Sequence, residues 1–187
     1  MKNNWSDIEA KKYIRKYIKL GHSKDMALRV YTTRLLGRNK ELVLHGGGNT
    51  SVKIKTKDID GKIYDVLCVK GSGWDMAEIE PQGLPAVKLN PLLSFKNKKY
   101  LSDDDMVSFQ KRNLINSKSP NPSVETFLHA FLPHKFVDHT HSDAIMNLTN
   151  RSNGIELCKK TFGAKVGIVP YVMPGFALAV KINEVLK

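Results

Sequence analysis

The chain has 187 residues, 41% of them hydrophobic, which suffices for one domain with its own core and leaves no room for a second full domain. Lys and Arg number 30 against 18 Asp and Glu, a formal charge of +12; the lysines run from Lys2 to Lys187 without clustering and no RNA-binding or zinc-finger pattern joins them, so no nucleic-acid partner is expected. No stretch approaches the roughly 20 apolar residues of a membrane helix, and Met1–Ser6 lacks the apolar centre of a secretory signal, so a soluble, cytoplasmic protein without a membrane partner is expected.

Ser6-Asp7-Ile8-Glu9 has the form of a capping box, and the apolar residues that follow predict a first helix reaching Gly21. Ser23 caps a second, which Gly37 is placed to end. Leu42–Leu44 and Ser51–Lys55 read as strand pieces around His45-Gly46-Gly47-Gly48-Asn49, and Asp60-Gly61 predicts a hairpin turn into a strand over Ile63–Val69. A short helix is expected over Pro85–Phe95, another starting at Ser102-Asp103-Asp104-Asp105, and a polar link over Asn113–Asn121. Pro122 suits the first position of a helix whose buried stripe is Phe127, Leu128, Phe131 and Leu132. Strands over Phe136–His141 and Val166–Val169 and helices over Ile155–Phe162 and from Phe176 complete the reading. The last helix is still building at Lys187, so the domain is expected to be incomplete at its C-terminus.

The two cysteines, Cys68 and Cys158, lie far apart in sequence and offer neither a disulfide framework nor a Cys-based zinc site, which leaves any metal to His and carboxylate. His139 and His141 stand at i and i+2 of a predicted strand, face one side, and can converge on an ion. Two histidines fall short of the usual three protein ligands of a catalytic zinc, and Glu125 at a helix start can complete a His-His-Glu set. The plainer readings are a hydrogen-bonded pair at a strand end and a first-turn acid.

The His45–Ser51 stretch can bend tightly and present bare backbone N–H groups to a phosphate, with Asn49 and Ser51 adding side-chain bonds. Lys70-Gly71-Ser72-Gly73 can form a second wall, although neither stretch has P-loop or dinucleotide spacing. His-Gly-Gly-Gly also occurs in esterase oxyanion loops, but the chain has no Gly-x-Ser-x-Gly, which sets serine hydrolase aside. His129, four residues after Glu125, reads as a packing or supporting residue. Tyr171, held between Pro170 and Pro174, reads as a half-buried aromatic or a proton donor.

Taken in order, the His45–Ser51 stretch, Lys70–Gly73, Pro122-Ser-Val-Glu125, His139-Thr-His141 and Pro170-Tyr171 resemble the class II aldolase/adducin family. Tyr31–Gly37, Leu42–Gly48, Glu125–Pro133 and Pro174–Leu178 look like the aldolase part of the bifunctional rhamnulose-1-phosphate aldolase/alcohol dehydrogenases. The resemblance implies a three-layer α/β/α sandwich with a largely antiparallel central sheet, assembled as a homotetramer with active sites between subunits. It implies a zinc-dependent lyase that cleaves L-rhamnulose 1-phosphate to dihydroxyacetone phosphate and lactaldehyde. Carried over, His139 and His141 bind Zn2+, and Glu125 is the carboxylate beside the metal that takes the proton. Asn49, Ser51, Gly71, Ser72 and Ser123 cradle the substrate phosphate, and Tyr171 of a neighbouring subunit protonates the aldehyde oxygen.

Two departures accompany the resemblance. The family's third histidine ligand falls beyond Lys187, and Val124 replaces the second serine of the simple aldolases' Ser-Ser-Glu. The alternatives are a sugar-phosphate epimerase or dehydratase, an inactive adducin-like assembly module, and a truncated fragment; with no dehydrogenase domain in these residues, no NAD role is expected.

Overall fold

In the computed structural model, which describes residues 3–186, Ser6 caps α1 (Asp7–Lys19) and Ser23 caps α2 (Lys24–Gly37), each hydroxyl accepting a backbone N–H three residues on. Helix α2 stops at Gly37 as expected, but not through a left-handed cap. The following Arg38 is ordinary right-handed backbone, and glycine is required because a Cβ at 37 would stand 2.3 Å from Ala77 N.

Strands β1 (Asn49–Lys57) and β2 (Ile63–Val69) form the expected hairpin, in antiparallel register from Ser51↔Val69 to Lys57↔Ile63. The short β3 (Ala86–Lys88) pairs with β2, and β4 (Phe136–His139) pairs with the other edge of β1, so the sheet order is β3-β2-β1-β4, antiparallel throughout. The remaining helices are α3 (Leu89–Leu93), α4 (Asp103–Arg112, capped by Ser102), α5 (Thr126–Phe131), α6 (Asp143–Thr149), α7 (Gly154–Phe162) and α8 (Phe176–Val185).

Alternation along β2 divides the interior in two. Val66 and Cys68 pack with Tyr17, Met26 and Val30 of α1 and α2, whereas Leu67 and Val69 pack with Met106, Phe127, Phe131 and Phe176 of α4, α5 and α8. The sheet is thus filled on both faces by helices, the α/β/α sandwich that the family resemblance implied.

Several local expectations differ from the structure. Leu42–Leu44 is a turn, because Val43 N bonds back to Asn39 O and Leu42 O accepts His141 N, leaving no ladder to join. Val166–Val169 is irregular and pairs with no strand. Pro85–Phe95 divides into β3 and α3. Pro122 does not open α5; it bridges Gly71, and the helix starts only at Thr126, with Glu125 at its N-cap. Helix α6, which the sequence reading passed over, follows directly on His141-Ser142.

Arg29 of α2 lies under the β1–β4 junction with its side chain 1% exposed. Its guanidinium donates to Ser51 O at 3.1 Å, to Val137 O at 3.3 Å and to Asp138 Oδ1 at 2.5 Å, so one residue ties α2 to both strands. Arg29→Met strands two strand carbonyls and is expected to destabilise the domain by about 2–3 kcal/mol. A urea unfolding midpoint unchanged from the parent would contradict this role.

Candidate functional site

Three segments close on one another at the end of the sheet where β1 begins. The 45–48 loop leads into β1, the 70–73 turn leaves β2, and 121–125 leads into α5. Lys70 joins all three: its N–H donates to Thr50 O at 2.9 Å, its carbonyl accepts Ser123 N at 3.2 Å, and its Nζ donates to Gly46 O at 3.0 Å. Ser72 N bonds Asn121 O at 2.8 Å, and Gly71 bridges Pro122. Gly48, at φ +66, passes β4 so closely that a Cβ would lie 2.7 Å from His139 O.

Alternate residues of β1 face α5 and are polar. Asn49 and Ser51 meet His129, and Lys53 Nζ donates to the carbonyls of Leu132 and His134 past the helix end. His129 is fully buried; its Nδ1 is 2.8 Å from Ser51 Oγ and its Nε2 bonds Asn49 Oδ1. Asn49 Nδ2 in turn donates to Ser123 Oγ at 3.0 Å and to Glu125 Oε2 at 2.5 Å. The amide orientation is dictated by its neighbour, since a carboxylate only accepts. Asn49 therefore presents Nδ2 to Glu125 and Oδ1 to His129, His129 must donate from Nε2, and Ser51 must donate to Nδ1.

The cross-strand pairing Asn49↔His139 puts His139 on the same side, where its Nδ1 lies 2.9 Å from Glu125 Oε2. The separation is that of an ion pair, yet no well-directed hydrogen bond reaches this buried nitrogen. The His141 ring sits 4.9 Å from that of His139, centroid to centroid, and is exposed. Burial pushes the Glu125 carboxyl up, but His139 at contact distance, the Asn49 amide and His129 outweigh it and hold the group down at about 2. Burial drives His129 down to about 3 against the opposing pull of Glu125. Burial and the neighbouring His139 also push His141 down. The site at neutral pH therefore holds an ionised carboxylate beside a neutral, fully bonded His129.

Of the residues singled out in the sequence, the structure brings together Asn49, Ser123, Glu125 and His139, with His141 alongside. Gly71 and Ser72 form the facing turn, Ser72 exposed and Gly71 buried with its N–H bonded to Gly83 O. Ser51 is fully buried and its hydroxyl is engaged by His129, so it meets the cluster through that ring and Asn49. Tyr171 is not in this cluster: it is 88% exposed on the 166–175 segment, and its hydroxyl donates to Met173 Sδ at 3.1 Å.

Two imidazoles and a carboxylate are the donor types a zinc-like cation takes, and the unbonded His139 Nδ1 is an atom such an ion would satisfy. Among the described residues, no group of three or more His, Cys, Asp or Glu is gathered tightly enough to enclose one. In donor type Glu125, His139 and His141 suit a divalent cation, although as placed they are not a group that encloses one. Sequence reading left the roles of Lys70 and Arg29 unassigned; the signal for a polar seam was the run of polar side chains at 49, 51 and 53 in a strand interior.

Because His129 stays neutral when folded and protonates when unfolded, stability is expected to fall as pH drops from about 6.5 toward about 3. Histidine nitrogen NMR at pH 7 should show His129 uncharged with its proton on Nε2. An imidazolium at that position would contradict the hydrogen-bond assignment.

Comparison with known proteins identifies the family of this fold. The model of the class II aldolase and adducin N-terminal domain matches residues 27–187. A solved structure, the N-terminal class II aldolase domain of a conserved protein from Thermoplasma acidophilum, superposes with a TM-score of 0.86 at 38% identity, covering 100% of this chain and 81% of that one. YuxG of Bacillus subtilis (strain 168), described as an uncharacterized oxidoreductase, is 41% identical over 155 residues, 83% of this chain. The chain spans 22% of the length of that relative. With the matched fold, the matched family model and the glycine, carboxylate and histidine segments in their order, the chain belongs to the class II aldolase and adducin N-terminal domain family.

Proposed function

We propose that this domain is a zinc-dependent aldolase that cleaves a ketose 1-phosphate, with L-rhamnulose 1-phosphate as substrate and dihydroxyacetone phosphate and lactaldehyde as products. The observation that carries the reading is Glu125, a buried carboxylate kept ionised and aimed by Asn49 at the edge of the two-histidine cluster. Such a group is ionised at neutral pH and so able to take a proton, while His139 and Asn49 beside it keep its basicity low.

Glu125, His139 and His141 are the residues that would hold the cation, which supplies Lewis-acid stabilisation of the negative charge left when the carbon–carbon bond breaks. Glu125 holds or returns the proton at the carbon that loses the aldehyde. The hydroxyls of Ser72 and Ser123 fix the phosphate end, with Asn49 and the Gly71 turn shaping it, while Ser51 works from beneath by orienting His129 and so Asn49. Tyr171, exposed and outside the cluster of its own chain, would serve the site of a second copy in a homotetramer, taking the proton from the oxygen that becomes the aldehyde in cleavage and donating it back in condensation. The proposed place of work is the cytoplasm; among the described residues no helix is long and apolar enough to cross a membrane.

Release of dihydroxyacetone phosphate from L-rhamnulose 1-phosphate in the presence of Zn2+ tests the reading. Glu125→Gln is expected to lower kcat by about 10²- to 10⁴-fold. Chains carrying Glu125→Gln and chains carrying Tyr171→Phe, each impaired alone, are expected to regain activity when unfolded and reassembled together. Turnover of no ketose 1-phosphate by the parent chain would sink the aldolase assignment, and absence of complementation would remove the second copy from it.

A further inference from the structure

Two cationic side chains are buried among the described residues, Arg29 and Lys70. Arg29 has Asp138 as its counter-charge. Lys70 is 6% exposed, and none of the described ion pairs includes it; its Nζ has the single carbonyl of Gly46 as acceptor although an ammonium carries three donors. Lys53, the other partly buried lysine of this region, is accounted for by two carbonyls beyond α5. A buried ammonium with one neutral acceptor is costly unless something else brings charge to it. Burial disfavours the charged form of Lys70, and Asp75 and Glu125 favour it from beyond contact distance.

The position of this charge identifies what could balance it. Lys70 sits where the 45–48 loop, the 70–73 turn and Ser123 converge, with Nζ on the glycine loop and its backbone bonded to Ser123 and Thr50. The hydroxyls of Ser72 and Ser123 at that enclosure suit an anion and supply no negative charge of their own, the two amide hydrogens of Asn49 being spent on Ser123 and Glu125.

We propose that Lys70 is the cationic ligand of the substrate's phosphate group, the residue through which the site distinguishes a phosphorylated sugar from an uncharged one. The assignment rests on the reading of this enclosure as a phosphate cradle. The ammonium is held against Gly46 O while the site is empty, and a dianion entering between the two glycine turns takes its free donors. No covalent step is involved. The same contact draws the 45–48 loop and the 70–73 turn onto the ligand, so phosphate and loop order are coupled.

Inorganic phosphate is the probe, titrated calorimetrically against the folded chain. Lys70→Gln removes the charge and keeps an amide donor for Gly46 O, Lys70→Arg keeps the charge, and Lys53→Gln serves as a charge-loss control outside the cradle. Lys70→Gln is expected to weaken phosphate binding about ten- to a hundred-fold, with Lys70→Arg and Lys53→Gln close to the parent. Equal binding by the parent and Lys70→Gln would overturn the Lys70 assignment and leave the cradle standing. An equal loss in Lys53→Gln would overturn it as well, by showing that net charge alone is responsible. Phosphate that fails to bind the parent chain at all would defeat the cradle itself and the assignment with it. Should Lys70→Gln fail to fold, the decisive measurement is acylation of Lys70 in the parent chain: protection by phosphate supports the contact, and unchanged reactivity refutes it.

Discussion

A buried carboxylate must have its charge answered on the spot, and the answer given to Glu125 organises this domain. It lies at the N-cap of α5 beside His139, and the residue that donates a directed hydrogen bond to it, Asn49, is the first of a strand of the sheet. Holding the Asn49 amide in the one orientation that donates to Glu125 requires a donor for its oxygen, which His129 supplies from the next turn of α5. His129 requires a donor in turn and finds Ser51. A four-residue chain of hydrogen bonds thus runs from the cap of α5 to the start of β1, back to the helix and again to β1, each link setting the direction of the next.

That chain explains why a domain with two well-filled hydrophobic interiors keeps a polar seam between β1 and α5. Apolar residues at 49, 51 and 129 would pack and would leave the carboxylate with no directed partner on that side. The seam serves an ionised group standing beside a histidine with an unbonded nitrogen, an arrangement that stability alone does not require. Arg29 contributes from the opposite face by clamping β4 to β1, which sets where His139 stands relative to Asn49.

Much of the architecture was legible because it rests on local rules. The Ser6, Ser23 and Ser102 caps and the Asp60-Gly61 hairpin are short-range signals that tertiary context did not override. The misread segments are those decided by distant partners. Leu42–Leu44 has strand-like residues but spends its backbone bonds on Asn39 and His141, and Pro122 was drawn out of helical geometry by its bridge to Gly71. In the site, His139 is legible from strand spacing, Glu125 from its helix start and Asn49 from the glycine loop, with the motif resemblance assigning their roles, and the register between β1 and β4 shows why Asn49 and His139 meet. Ser51, expected to bond the phosphate, is fully buried with its hydroxyl on His129; a serine's side of a strand follows from alternation, but its partner follows from which helix covers that side. Lys70 belongs to the stretch read as a second anion wall, but its own role has no local signal, because its burial depends on three separate segments that close over it.

The central claim is that Glu125, His139 and His141 share one divalent cation. Anomalous diffraction at the zinc edge, from crystals of the parent chain grown with Zn2+, examines it directly. The account predicts a peak between the Glu125 carboxylate and the two imidazole rings, absent from crystals of the His139→Ala/His141→Ala double variant. Zinc bound elsewhere, or a parent site that takes none while the fold is intact, would contradict it.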